Sequence, residues 1–77
     1  MRILALGASG AIGAYVARVL SNKGHRVSVG DVATASYPFS AGKSDIQFLS
    51  CDITDKGALE ALVDRVDPHV VLNFAII

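Results

Sequence analysis

The chain has one cysteine, two prolines, no net charge and no long apolar run, and each shortage excludes something. Cys51 alone makes no internal disulfide and no metal cluster, which fits a reducing compartment, so cytoplasm is the expected location. Seven basic residues balance seven acidic ones. That balance supplies no electrostatic reason to expect nucleic acid or an anionic membrane as partner, so only local positive potential could hold a phosphate. No stretch approaches the ~18 apolar residues of a membrane span, and residues 3–6 are too few for a signal-peptide core. Asp31, Asp52 and Asp55 interrupt the apolar segments. The chain therefore reads as soluble. His25 and His69 each precede a strand-like run with no second ligand at metal spacing, and are expected to be solvated. At 77 residues the chain is below the usual size of one domain. A chain this small buries only about 60% of the surface it exposes when unfolded, enough for one modest core.

Apolar residues nevertheless make up 52% of the chain, and they are ordered. Residues 2–6 form a short run, apolar on both faces and closed by Gly7, as expected of a strand buried in a parallel sheet. From 11 to 23, Ile12, Val16, Val19 and Leu20 fall at i, i+4, i+7 and i+8, predicting one buried helical face, and Gly24 suits a left-handed C-terminal cap. Residues 26–30 and 46–51 carry β-branched and apolar side chains and end at Asp31 and Asp52, predicting the second and third strands. Between them, residues 32–45 contain Pro38, Gly42 and three serines without a helical stripe, and read as a loop. Asp55 is placed to cap a second helix with a stripe of Leu59, Leu62, Val63 and Val66, which Pro68 stops. Residues 70–77 (VVLNFAII) predict a fourth strand. The order β-α-β-(loop)-β-α-β predicts an α/β fold, a parallel sheet with right-handed crossovers.

Candidate chemistry concentrates at Gly7-Ala8-Ser9-Gly10-Ala11-Ile12-Gly13. A strand that ends at glycine and turns at once into a helix aims free backbone N–H groups and the positive helix end at one spot, which suits a pyrophosphate. In that arrangement Gly7 permits the tight turn, Gly10 lets the backbone approach the phosphates, and Gly13 lets the helix pack against the strands. Ser9 either donates its hydroxyl to a phosphate oxygen or caps the helix; both remain open. Asp31 ends the second strand 18 positions after Gly13, close to the ~20 at which a carboxylate meets the adenosine ribose hydroxyls. NAD is expected over NADP, since a 2′-phosphate would face like charge at Asp31 and only Lys43 stands nearby to offset it. Cys51 reads as a small buried apolar residue, and Tyr15 as a helix residue half covering the sheet.

The spacing G-x-x-G-x-x-G is similar to that of the short-chain dehydrogenase/reductases, and of their extended, epimerase/dehydratase-like members in particular. Cys51-Asp52-Ile53-Thr54-Asp55 resembles their third-strand motif, and Pro68-His69-Val70-Val71-Leu72-Asn73-Phe74-Ala75 resembles their fourth strand. The resemblance implies a Rossmann-like sheet of order 3-2-1-4, with residues 1–77 as the N-terminal part of a dinucleotide-binding domain truncated after the fourth strand. It implies that Asp52 reaches the adenine amino group, that Ile53 packs by the ring, and that Phe74 and Ala75 pass beneath the nucleotide. Ile76 and Ile77 depart from the small residues usual at the next positions. The family's catalysis uses a Tyr-x-x-x-Lys pair, in which the lysine lowers the tyrosine pKa. Neither tyrosine here has it: Tyr15 is followed four residues on by Val19, and Tyr37 by Ala41.

Three functions are consistent with these residues. One is the cofactor half of an oxidoreductase, epimerase or dehydratase of that family, without its catalytic half. The second is a saccharopine-dehydrogenase-like NAD-binding domain, favoured by the Val-Gly-Asp ending of the second strand. The third is a non-catalytic nucleotide-binding or assembly fragment. Substrate is not legible, because these folds recognise it through a C-terminal half. Residues 70–77 carry no charge and no proline, so this edge strand is expected to pair with another copy or with the rest of a parent protein.

Overall fold

Alternation along the first strand decides how the molecule is layered. β1 (Arg2–Leu6) buries residues 3–6, and parallel pairing on both sides places it inside the sheet. β2 (Arg26–Asp31) pairs with it from Arg2↔Arg26 to Leu6↔Gly30, and β4 (Val70–Asn73) from Ile3↔Val70 to Leu6↔Asn73. β3 (Gln47–Ser50) pairs with β2 from Ser28↔Gln47 to Asp31↔Ser50. The strand order is β3-β2-β1-β4, all parallel, the 3-2-1-4 arrangement expected. A computed structural model describes residues 1–8, 11–32 and 46–74 of this fold. Residues 33–45 of the loop expected at 32–45, and the last three residues of the expected fourth strand, lie outside them.

Ala5, Val27 and Val29 pack with Ala8, Ala14 and Ala17 beneath α1 (Ala11–Asn22). Leu4, Leu6, Cys51 and Leu62 pack beneath α2 (Lys56–Val66), with Leu59, Val63 and Val66 partly buried beside them. The two helices therefore cover opposite faces, as right-handed crossovers running in opposite directions across the sheet, β1 to β2 and β3 to β4, require. The α2 stripe is the one expected. The α1 stripe is so only in part: Leu20 packs against the core and Val16 and Val19 are half-buried, but Ile12 is 76% exposed, and Tyr15, expected to half cover the sheet, is 69% exposed. The buried α1 residues are Ala14 and Ala17, with Leu20 packed at the margin. The cause is a close approach of Gly13 to Ala8, which turns the small side chains of the helix toward the strands.

Helix ends follow local chemistry. At the end of α1, Gly24 adopts φ +92°, and its N–H donates to the Ser21 carbonyl while the His25 N–H donates to Leu20. These paired bonds are those of a Schellman cap. Asp55 caps α2 by accepting from the Ala58 N–H at 3.1 Å, as its sequence position predicts. Asp67 closes that helix in the left-handed region, donating its N–H to Val63, and Pro68 follows.

Candidate functional site at the carboxyl ends of the strands

Four strand ends meet along one rim. The Gly7 N–H donates to the Gly30 carbonyl at 2.8 Å, extending the β1–β2 ladder one residue past β1. The Cys51 N–H donates to the Asp31 carbonyl at 3.0 Å, and the Phe74 N–H to the Leu6 carbonyl at 2.8 Å. Gly7, Asp31, Cys51-Asp52 and Phe74 are thereby brought to the same end of the sheet. Gly7 has φ +69°, a left-handed conformation that glycine adopts without a Cβ penalty. It turns the chain toward α1.

The approach of α1 is set by Gly13. A Cβ built there would lie 2.6 Å from the Ala8 Cα, and Ala8 itself is fully buried. The first turn of α1 contains no acidic residue, and the residue before it in the sequence is Gly10, which has no side chain. α2 differs, since the Asp55 carboxylate already sits on its N-terminus. The positive end of α1 is thus the helix terminus at this rim suited to an outside anion. Ile12 stands exposed in that first turn. Ser9, Gly10 and Ala75 lie outside the described residues, and Ala11 is placed only as the start of α1.

The acidic residues of the rim are held by short local bonds. Oδ1 of Asp31 accepts from the Val32 N–H at 2.7 Å. Oδ1 of Asp52 accepts from the Thr54 hydroxyl at 2.6 Å and the Thr54 N–H at 3.0 Å. Those bonds, the hydroxyl's first, hold the Asp52 carboxyl below the usual carboxylate range. Asp52 is exposed and Ile53 half-buried. Cys51 is buried, and burial, then the charges of Asp52 and Asp55, push its thiol above the ordinary range. A nucleophilic thiolate needs the opposite environment. Among the described residues no group of three or more His, Cys, Asp or Glu could hold a metal ion. No helix among them is long and apolar enough to cross a membrane.

Two contributors escaped the sequence reading. Ala8, between two named glycines, is the surface on which Gly13 rests. Gly30 faces α2, where an added Cβ would meet Leu62 Cδ2 at 2.7 Å and Leu6 Cδ2 at 3.2 Å. Its bareness lets Leu62 settle across β2. The signal was the Val-Gly-Asp ending of that strand, whose small residue needed a packing reason.

The sequence matches the NAD dependent epimerase/dehydratase family over residues 3–77. Among solved structures, the UDP-glucose-4-epimerase of Stenotrophomonas maltophila, with bound NAD and formylated UDP-arabinopyranose, is 28% identical with a TM-score of 0.85. The enzyme WbmG of Bordetella bronchiseptica, in complex with NAD and UDP, is 27% identical with a TM-score of 0.79. Both alignments cover 100% of this chain and 25% of the other. A partial consensus L-threonine 3-dehydrogenase is 28% identical with a TM-score of 0.80, over 100% of this chain and 24% of that one. The chain thus spans about a quarter of the length of these structures. No curated protein sequence matches it significantly.

Proposed function

The chain belongs to the NAD dependent epimerase/dehydratase family, and on that premise we propose that it is the dinucleotide-binding part of an oxidoreductase, epimerase or dehydratase of the extended short-chain type. The observation that carries the reading is the convergence of Gly7, the unneutralised start of α1, Asp31 and Asp52 on one rim. The backbone of Gly7, Ser9, Gly10, Ala11, Ile12 and Gly13 would hold the pyrophosphate. Asp31 would accept from the ribose hydroxyls. Asp52, kept charged and aimed by Thr54, would accept from the adenine amino group, beside Ile53. Phe74 and Ala75 would pass beneath the nucleotide. NAD when bound supplies the hydride chemistry; what this chain supplies is orientation and charge. With no Tyr-x-x-x-Lys pair in its sequence, the chain by itself is assigned no catalytic residue, and proton transfer to a substrate falls to a part of the protein outside it. Cytoplasm is the proposed location.

Calorimetric titration with NADH and NADPH tests this reading. NADH should bind more tightly, and Asp31→Asn should narrow the difference. Equal or tighter NADPH binding by the unaltered chain would overturn the role given to Asp31. Absence of binding by either nucleotide would remove the reading as a whole for this chain.

The exposed side chains of Val70 and Val71 support a second part of the proposal. β4 is bonded to β1 along one side, and its other side is the surface through which the chain would join a second copy or the remainder of its parent protein.

A further inference from the structure

The segment that follows β3 uses the two oxygens of one carboxylate unequally. Cys51 ties this segment to β2 through the Asp31 carbonyl, and the Asp55 N–H donates to the Asp52 carbonyl at 3.0 Å, closing a turn over residues 52–55. Inside that turn Oδ1 of Asp52 accepts both Thr54 bonds, from the hydroxyl at 2.6 Å and from the N–H at 3.0 Å. A carboxylate oxygen has two lone pairs, so Oδ1 is filled. Among the described residues none donates to Oδ2, and Asp52 is exposed. The other carboxylate of the turn, Asp55, already accepts from the Ala58 N–H at 3.1 Å. The terminal torsion of an aspartate is broad when nothing holds it, and one backbone bond would let its two oxygens change places. The Thr54 hydroxyl is the second bond that prevents the exchange.

We propose that Thr54 is a positioning residue that decides which purine the site accepts: by filling Oδ1 it leaves Asp52 a single acceptor oxygen, which suits adenine and not guanine. The inference rests on the dinucleotide reading above and adds the choice of base to it. Adenine carries one exocyclic amino group, and Oδ2 alone satisfies it. Guanine sets two donors side by side, N1–H and its own amino group, and needs both oxygens of one carboxylate to satisfy them. With Oδ1 filled, one of those donors would be left without a partner, which costs free energy in a bound complex. Guanine and hypoxanthine also carry an oxygen where adenine has its amino group, and that oxygen would set lone pairs against a charged acceptor. The bonds from Thr54 favour that charged form. Any residue at 54 other than proline could supply the backbone N–H. The hydroxyl is what threonine adds.

Calorimetric titration of the chain with NADH and with the reduced guanine and hypoxanthine analogues of that dinucleotide, which differ from it only in the purine, tests the assignment. NADH should bind about tenfold more tightly than either analogue, the worth of one hydrogen bond to a charged group. Thr54→Val keeps the backbone N–H and removes the hydroxyl, and should narrow the ratio to about threefold or less as Oδ1 regains a lone pair and the carboxylate turns. Thr54→Ser should restore it. All three ligands titrate the same sample, so a loss of folded protein in a variant cancels from the ratio. An unchanged ratio in Thr54→Val, or no recovery in Thr54→Ser, would overturn the role of Thr54 and leave the dinucleotide reading standing. Equal binding of all three by the unaltered chain would overturn the choice of base at Asp52. Binding of none of them would remove the dinucleotide reading and this inference with it.

Discussion

At the scale of single residues, Gly13 and Cys51 make opposite demands. Gly13 needs the absence of a side chain, because a Cβ there would run into the backbone of Ala8. Gly13→Ala should lower stability by about 1–3 kcal/mol, the range for overpacking a close contact, as read from the urea midpoint. It should also displace the start of α1 and weaken nucleotide binding by calorimetry. Cys51 needs the absence of water. Its thiol should react with an alkylating reagent at least about tenfold more slowly in the folded chain than in urea at pH 8. The stability gained by burying it neutral is complete below the ordinary thiol range and declines above it, where the unfolded chain ionises first. Asp52 behaves in the other sense. Its two bonds from Thr54 favour the charged form, so their contribution is present at neutral pH and lost as acid titrates the folded carboxyl. In Thr54→Val the Asp52 carboxyl resonance, followed by NMR, should titrate at higher pH than in the unaltered chain. The turn at Gly7 and the position of Asp31 at the end of β2 were legible in the sequence. The supporting parts played by Ala8 and Gly30 were not, because each depends on what lies across the sheet.

At the scale of elements, α2 was readable to its caps and α1 was not readable to its face. Asp55, the stripe of Leu59, Leu62, Val63 and Val66, and Pro68 all act through neighbours in the chain, and all do what their positions imply. Asp55→Ala should cost about 0.5–2 kcal/mol by removing the bond to the Ala58 N–H, measured by chemical denaturation. α1 obeys a tertiary rule. Counting hydrophobic residues selects Ile12, Val16, Val19 and Leu20 as the inner face, and Leu20 does pack against the core, but Gly13 must reach Ala8, and the buried residues beneath the helix are Ala14 and Ala17. Size, rather than hydrophobicity, chose the buried side. Ile12 and Tyr15 are turned outward in consequence.

At the scale of the whole molecule, the described sheet has two outer strands, β3 and β4. Val70 and Val71 remain 37% and 47% exposed on β4. Light scattering during size exclusion should therefore report self-association at micromolar concentration, reduced in a Val71→Lys variant, since edge charge opposes strand pairing. A stable monomer that folds cooperatively would remove the proposed edge interaction. Element order, parallel pairing and the position of the glycine turn were determined by the sequence alone. The physical reason is that strand period, helix period and turn chemistry are local, and a β-α-β order leaves few sheets to build. Tertiary structure decided the rest: which side of α1 is buried, why Gly30 is bare, and that His25 and His69, expected to be merely solvated, receive bonds from the start of β1. The two histidine bonds join groups 24 and 67 positions apart in the chain. No periodicity encodes such a meeting; only the packed sheet brings it about.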